Sequence, residues 1–177
     1  MYGQDIQQDD FIRFGKQKGR FCLRALLQRV THAEVVVENE CTGKIDNGFL
    51  VLLGVGQGDR EEQARLLAAK IAGLRVFTDE QDKMNLSLLD VNGGALVVSQ
   101  FTLYADCRHG RRPNFIPAAP PQLAEPLYEQ FCVMLKEHGV QKVERGVFGG
   151  DMKVSLCNDG PVTIWLDTDE LTAPKNH

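Results

Sequence analysis

No two histidines stand at metal-ligand spacing, no two cysteines form a C-x-x-C motif, and no apolar run is long enough to cross a membrane. Each absence excludes a class of function. His32, His109, His138 and His177 are scattered, so neither a metal-dependent hydrolase nor a histidine-based triad finds its usual ligands or base. Cys22, Cys41, Cys107, Cys132 and Cys157 are an odd set, which argues against a secreted disulfide framework and a zinc site and for a reducing cytoplasm. The longest apolar stretch, residues 49–55, is far shorter than the ~20 residues of a membrane-spanning helix, and residues 1–20 lack the apolar centre of a signal peptide. Positive charge is not in excess either. A net charge of -4 argues against a protein that coats DNA or RNA, because such binding scales with the number of phosphates neutralised, but it leaves room for a small local contact.

What is present is the composition of one ordinary domain: 177 residues, 43% of them hydrophobic and 25% charged, without repeats or an interdomain linker. Residues 1–22 are Gln-, Asp- and Gly-rich and read as a loosely ordered leader. Residues 23–30, 33–38 and 49–55 are rich in Val, Leu and Ile and are punctuated by Asn39 and Asn47-Gly48, the pattern of strands joined by tight turns. Asp59 with Glu62 predicts a capping box, and Ala64, Leu67, Ala68, Ile71 and Ala72 continue it as an amphipathic helix to about Leu74. A polar loop follows at 79–85, then an apolar strand over 95–103 and a long basic loop over 106–121. Leu123, Leu127, Phe131 and Leu135 share one face of a second helix, with Pro126 expected in its first turn and Gly139 as its stop. Strands at 152–157 and 162–166, separated by a turn at 158–161, close an α+β domain of mostly antiparallel sheet and two main helices.

Several segments carry chemistry as well as structure. Gly54-x-Gly56-x-Gly58 lies between a strand and a helix, as a dinucleotide-binding turn does. The third glycine is displaced, however, and Asp59 would set a negative charge where a pyrophosphate should bind, so a plain connection is the better reading. Cys107 alone among the thiols has basic neighbours. Asp90, Asp106, Asp151 and Asp167 read as turn and cap residues. Arg108-His109-Gly110-Arg111-Arg112 is either a solvated charge run or a grip on one or two phosphates. Ser99-Gln100-Phe101-Thr102 puts polar side chains into what residues 95–98 begin as a fully buried strand, a local conflict of the kind that marks sites.

In order along the chain, Arg24-Ala25-Leu26-Leu27-Gln28-Arg29-Val30, Ser99-Gln100-Phe101-Thr102-Leu103, Arg112-Pro113-Asn114-Phe115, Gly146-x-Phe148-Gly149-x-x-Met152 and Asn158-Asp159-Gly160-Pro161-Val162-Thr163 resemble the motifs of the D-aminoacyl-tRNA deacylase family. The resemblance runs from Arg24 to Leu166 and implies a domain at 23–167 followed by a tail at 168–177. It further implies a cytosolic homodimer with its active sites at the interface, each receiving the partner's Gly-Pro dipeptide through a cis peptide bond. Gly160 and Pro161 would then be a chirality gate whose carbonyls exclude an L-side chain, with Arg29 as the brace that orients them. Ser99, Gln100, Phe101 and Thr102 would form the catalytic cradle. Phe148, Gly149, Met152 and Arg112 would hold the terminal adenosine and the acceptor end of D-aminoacyl-tRNA. No metal or cofactor is implied. An aminoacyl ester is already activated and carries a vicinal ribose hydroxyl, so backbone N–H groups near Phe101 and Thr102 can supply most of the catalysis; Thr102 as a nucleophile would lack a base.

The chain departs from the family at its start, where Leu23 stands in place of the initiator Met that family members show; the expectation is an alternative start codon at Leu23. Two other functions compete with the deacylase. A nucleotide-cofactor enzyme would use the 54–58 turn and an open parallel sheet. A non-enzymatic module for tRNA acceptor ends would bind without turnover and ignore chirality.

Overall fold

The computed structural model describes residues 22–174; the leader expected at 1–22 lies outside them except for Cys22. The two strands expected at 23–30 and 33–38 are one, β1 (Arg24–Val37): Thr31 and His32 are exposed, but pairing with a later strand continues past them from His32 to Val36. Its first half is antiparallel to β3 (Gly48–Gly54) and its second half to β2 (Glu40–Ile45). The β1–β2 turn holds Glu38 and Asn39 at positive φ, the geometry that matches strand twist in a two-residue hairpin. Sequence patterning missed β2 because only Gly43 and Ile45 are buried in it.

After β3 the chain forms α1 (Glu61–Ala72), a two-stranded ribbon of β4 (Phe77–Thr78) and β5 (Met84–Leu86), and then β6 (Gly94–Ser99). The ribbon lies where a polar loop was expected. β6 is parallel to β3 and to β7 (Val143–Arg145), and its first five residues are buried, as a strand covered on both faces requires. α2 (Pro121–Glu137) precedes β7; β8 (Lys153–Asp167) and the short α3 (Thr168–Thr172) end the described chain. The sheet has six strands, mostly antiparallel, with β8 along the free edge of β1.

Three local expectations change. The capping box begins at Arg60, whose N–H donates to Gln63 at 3.1 Å, and Asp59 turns inward instead. Pro121 occupies the start of α2, so Pro126 falls in its second turn, and Leu123 is exposed. The helix ends as expected: Gly139 adopts φ +97 and Val140 N–H reaches back to the Leu135 carbonyl. Residues 153–167 are not a hairpin; both halves pair with β1, and residues 159–162 bulge out opposite Arg29.

One apolar cluster fills the face under α1 and α2, joining Leu27, Phe49, Val51 and Leu53 of the sheet to Leu67, Ile71, Phe131 and Leu135 of the helices. A smaller one on the other face gathers Val30, Val35, Ile45, Leu50 and Leu96. No helix among the described residues is long and apolar enough to cross a membrane.

Phe49 is fully buried and its ring centroid lies 4.9 Å from that of Phe77. Replacing it by alanine is expected to cost about 3–5 kcal/mol, read as a lowered midpoint in urea denaturation with an unchanged slope.

Candidate active site

A cavity of about 650 Å³ opens where β6 ends, walled by the start of α2, by the loop after residue 106 and by residues 148–154. β6 stops at Ser99, not at Leu103 as expected. Gln100 N–H donates to the Leu53 carbonyl at 2.7 Å, and Phe101–Tyr104 then winds into a 3-10 turn. Ser99, Gln100 and Phe101 line the cavity; Thr102 does not, but its hydroxyl accepts from the Gln100 amide. The first N–H groups of such a turn have no carbonyl partner within it, and those of Phe101 and Thr102 donate to no backbone carbonyl among the described residues, which leaves them for a ligand. Phe101 is exposed and meets Phe115 edge to face at 5.0 Å.

The turn is held from below by Tyr104. Its hydroxyl donates to the Cys22 carbonyl and also lies within reach of the Gly54 carbonyl at 3.4 Å and Asp59 at 3.5 Å. A Cβ on Gly56 would sit 2.8 Å from that hydroxyl, and one on Gly54 would sit 3.0 Å from the ring. The Gly54-x-Gly56 pattern is thus a seat for Tyr104. The Gly56 N–H that a phosphate would need already donates to Asp59 at 2.7 Å. Burial lifts the Asp59 carboxyl to about 6, and its Oδ1 has no hydrogen-bond partner among the described residues.

The opposite wall is built by the segment after β7. Gly146 donates to the Val97 carbonyl at 3.0 Å and has no side chain because the Met152 sulfur occupies that space, 2.5 Å from where a Cβ would be. Phe148 leans on Tyr128, ring centroids 5.9 Å apart, and the Tyr128 hydroxyl donates to the Val97 carbonyl at 2.8 Å. Phe148, Gly149 and Met152 all line the cavity. Tyr128, Ala124 and Phe115 line it too and were missed: the first two lie outside the face marked by Leu123, Leu127, Phe131 and Leu135, and Phe115 passed only as part of a motif.

Arg112 lies outside the cavity wall, exposed on the loop whose base is the Asp106–Asn114 bridge. In the same loop Arg108 pairs with Asp106 at 2.6 Å, which holds that carboxyl well below its usual range. Asp90 and Asp167 do cap turns, accepting from Ser87 and Asp169 N–H groups at 2.8 and 2.9 Å.

Arg29, Gly160 and Pro161 do not line the cavity of this single chain. They form a second structure at the β8 bulge, where the buried Arg29 guanidinium donates to the Val76 carbonyl at 2.6 Å and to the Asp159 carbonyl at 3.1 Å. Asp159 also supplies its carboxylate at 3.2 Å, and Asn158 Oδ1 accepts from Val162 N–H at 2.9 Å to close the bulge. The Gly160–Pro161 peptide is cis and both residues are exposed.

Asp151 and Tyr128 are the ionisable side chains on the cavity wall; the first is paired with Lys153 and the second hydrogen-bonded to backbone. The wall therefore provides surfaces and main-chain donors, not an activated side chain. Cys22, Asp167 and Asp169 are the one grouping among the described residues with metal-ligand geometry. It lies off the cavity wall, Arg24 already neutralises Asp167, and burial with the Asp167 charge raises the thiol.

A family model described as D-Tyr-tRNA(Tyr) deacylase matches residues 26–167. The D-aminoacyl-tRNA deacylase of Thermosipho africanus is 56% identical over 149 residues, covering 84% of this chain and 99% of its own. That of Thermus aquaticus is 60% identical over 148 residues, covering 84% and 97%. Among solved structures, the c-Myc DNA Unwinding Element Binding Protein superposes with a TM-score of 0.76 at 40% identity, over 81% of this chain and 97% of its own. A probable eukaryotic D-amino acid tRNA deacylase gives 0.72 over 82% and 99%, and at 19% identity this is a likeness of fold.

The Asp59 geometry has a pH signature. Its carboxyl holds a proton more tightly in the folded chain, about 6 against an ordinary 3.8, so its neutral form supports the fold at low pH and that support is lost as pH rises through 6. Asp59→Asn is expected to gain about 1 kcal/mol over the wild type at pH 8, a figure discounted for partial exposure, and nothing near pH 4. Urea denaturation at the two pH values measures the difference.

Proposed function

The chain belongs to the D-Tyr-tRNA(Tyr) deacylase family and hydrolyses D-aminoacyl-tRNA; from that premise we propose how its residues divide the work. The terminal adenosine of the acceptor end lies in the apolar cavity against Phe148, Gly149 and Met152. The ester carbonyl rests on the turn formed by Ser99, Gln100, Phe101 and Thr102, where the free N–H groups of Phe101 and Thr102 meet the charge that develops on its oxygen. Water adds to the carbonyl carbon, the bond to the ribose oxygen breaks, and the vicinal hydroxyl relays the proton, giving free amino acid and tRNA. The observation that carries this scheme is the meeting of residues 99–101 with 148–152 on one wall, together with the absence of an unpaired acid or base there among the described residues.

Gly160 and Pro161, braced by Arg29, are the chirality gate. They stand exposed on a bulge away from their own chain's cavity, which suits delivery into a partner's cavity across a homodimer interface. Main-chain carbonyls select by configuration alone, so many D-amino acids and glycine are accepted. Arg112, exposed and without a charged partner among the described residues, meets acceptor-stem phosphate. Free thiols and a tRNA substrate support a cytoplasmic location. A net charge of -4 suits a contact confined to the acceptor end, with no role for DNA.

Offered D-Tyr-tRNA and L-Tyr-tRNA side by side, the protein is expected to release tyrosine from the D form at least about a hundredfold faster. Release from neither form would leave only binding. The shared site is tested by mixing Phe148→Ala, expected to be inactive, with Arg29→Lys, expected to hydrolyse both D- and L-Tyr-tRNA. Random reassociation makes half the dimers mixed, each with one intact, gated site, so release from the L form falls to about half that of the same variants kept apart while release from the D form is unchanged. An unchanged release from the L form on mixing would contradict the interface site.

A further inference from the structure

The Phe101–Tyr104 turn cannot set its own pitch. It is four residues long, its first two side chains are exposed, and short 3-10 segments have little stability of their own. Something outside it must hold the N–H groups in place. Tyr104 anchors its end by burial, and among the described residues one further bond reaches the turn from another element: Arg24 Nη1 donates to the Leu103 carbonyl at 3.1 Å.

Arg24 is well placed to make that bond rigid. As the first residue of β1 it faces Asp167 across the β1–β8 ladder and Gly54 across the β1–β3 ladder, so its main chain is fixed on both sides. Its Nε contacts Asp167 Oδ2 at 3.1 Å, and its guanidinium carbon lies 4.4 Å over the Tyr104 ring and 5.6 Å from the Trp165 ring. One planar fork therefore ties the start of β1, the end of β8 and the turn together. A lysine ammonium, a point charge without the fork, cannot satisfy all three at once.

We propose that Arg24 is a positioning residue for the hydrolysis: by fixing the Leu103 carbonyl it sets the tilt of the turn whose N–H groups receive the ester oxygen. The inference rests on the reading of that turn as the oxyanion cradle. Donors of this kind act only when they lie about 3 Å from the developing oxyanion, and a displacement near 1 Å can cost ~100-fold in rate. Arg24 does not touch the cavity wall, so its loss acts on turnover and leaves substrate binding intact.

The test compares steady-state hydrolysis of D-Tyr-tRNA by wild type, Arg24→Lys and Arg24→Met, each confirmed folded by circular dichroism and assayed well below its melting temperature. Lysine keeps the charge beside Asp167, and methionine keeps the apolar stem. Both are expected to lower kcat, by at least about 10-fold and 100-fold respectively, with KM within about threefold of wild type. Should Arg24→Met fail to fold, Arg24→Lys decides alone. A folded variant with wild-type kcat, or a loss carried by KM, overturns the proposal while leaving the deacylase reading intact; an inactive wild type overturns both.

Discussion

The pairing of β8 with β1 along nearly the whole of both strands is the constraint on which the rest of the structure depends. A ladder of that length fixes the direction of every side chain on β1, because neighbours in a strand alternate between faces and a slip by one residue would reverse them all. Arg24 and Arg29 lie five positions apart and so leave opposite faces of the strand. One meets the turn after β6, and the other meets the bulge in β8. Each cation is spent on main-chain carbonyls as well as on a carboxylate, Leu103 for the first and Val76 and Asp159 for the second. The two groups assigned to the reaction, a cradle and a gate, are thus both braced from one strand.

Bracing of this kind suits a reaction that needs little chemical help. The substrate ester is activated and brings its own hydroxyl, so the barrier falls chiefly through orientation and through donors fixed in advance. A reactive base in the cavity would hydrolyse the L-aminoacyl esters on which translation depends as readily as the D forms. In the proposed scheme, backbone groups on a tightly held frame avoid that hazard, since selectivity would reside in where a carbonyl stands and not in what a side chain can do. The cost falls on the frame, which must tolerate a buried guanidinium at Arg29 and an Asp59 carboxyl with one oxygen unpartnered among the described residues.

Local patterns were legible wherever burial has a period. The α1 stripe of Ala64, Leu67, Ala68 and Ile71 is buried as its spacing predicts, and Gly139 ends α2 as a left-handed residue should. Features that depend on a distant partner were not legible. Residues 158–161 have turn chemistry whether the flanking strands pair with each other or with a third; only the position of β1 makes them a bulge. β2 was hidden because one side of it faces solvent. Gly54 and Gly56 read as a plain connection, but the reason they lack side chains lies 50 residues beyond Gly54, in Tyr104, which fills the space. Ser99 to Thr102 stood out correctly as a conflict, but its resolution, a strand that ends and a turn that begins, needed the bond from Gln100 to Leu53.

The same logic bears on why the site divides between a cavity and an exposed bulge. A gate built into its own cavity would have to be reached by a strand that already pairs with β1 along its length, and closing the gap would break that ladder. In the proposed homodimer, delivery of the dipeptide from a second copy would remove the conflict, because a two-fold axis can bring the bulge of one chain to the cavity of the other without bending either. It also ties chiral selection to assembly: a lone chain would keep its cavity and cradle but lack the carbonyls that reject an L-side chain. An enzyme whose error would be the destruction of correct substrate would then depend on assembly for its discrimination.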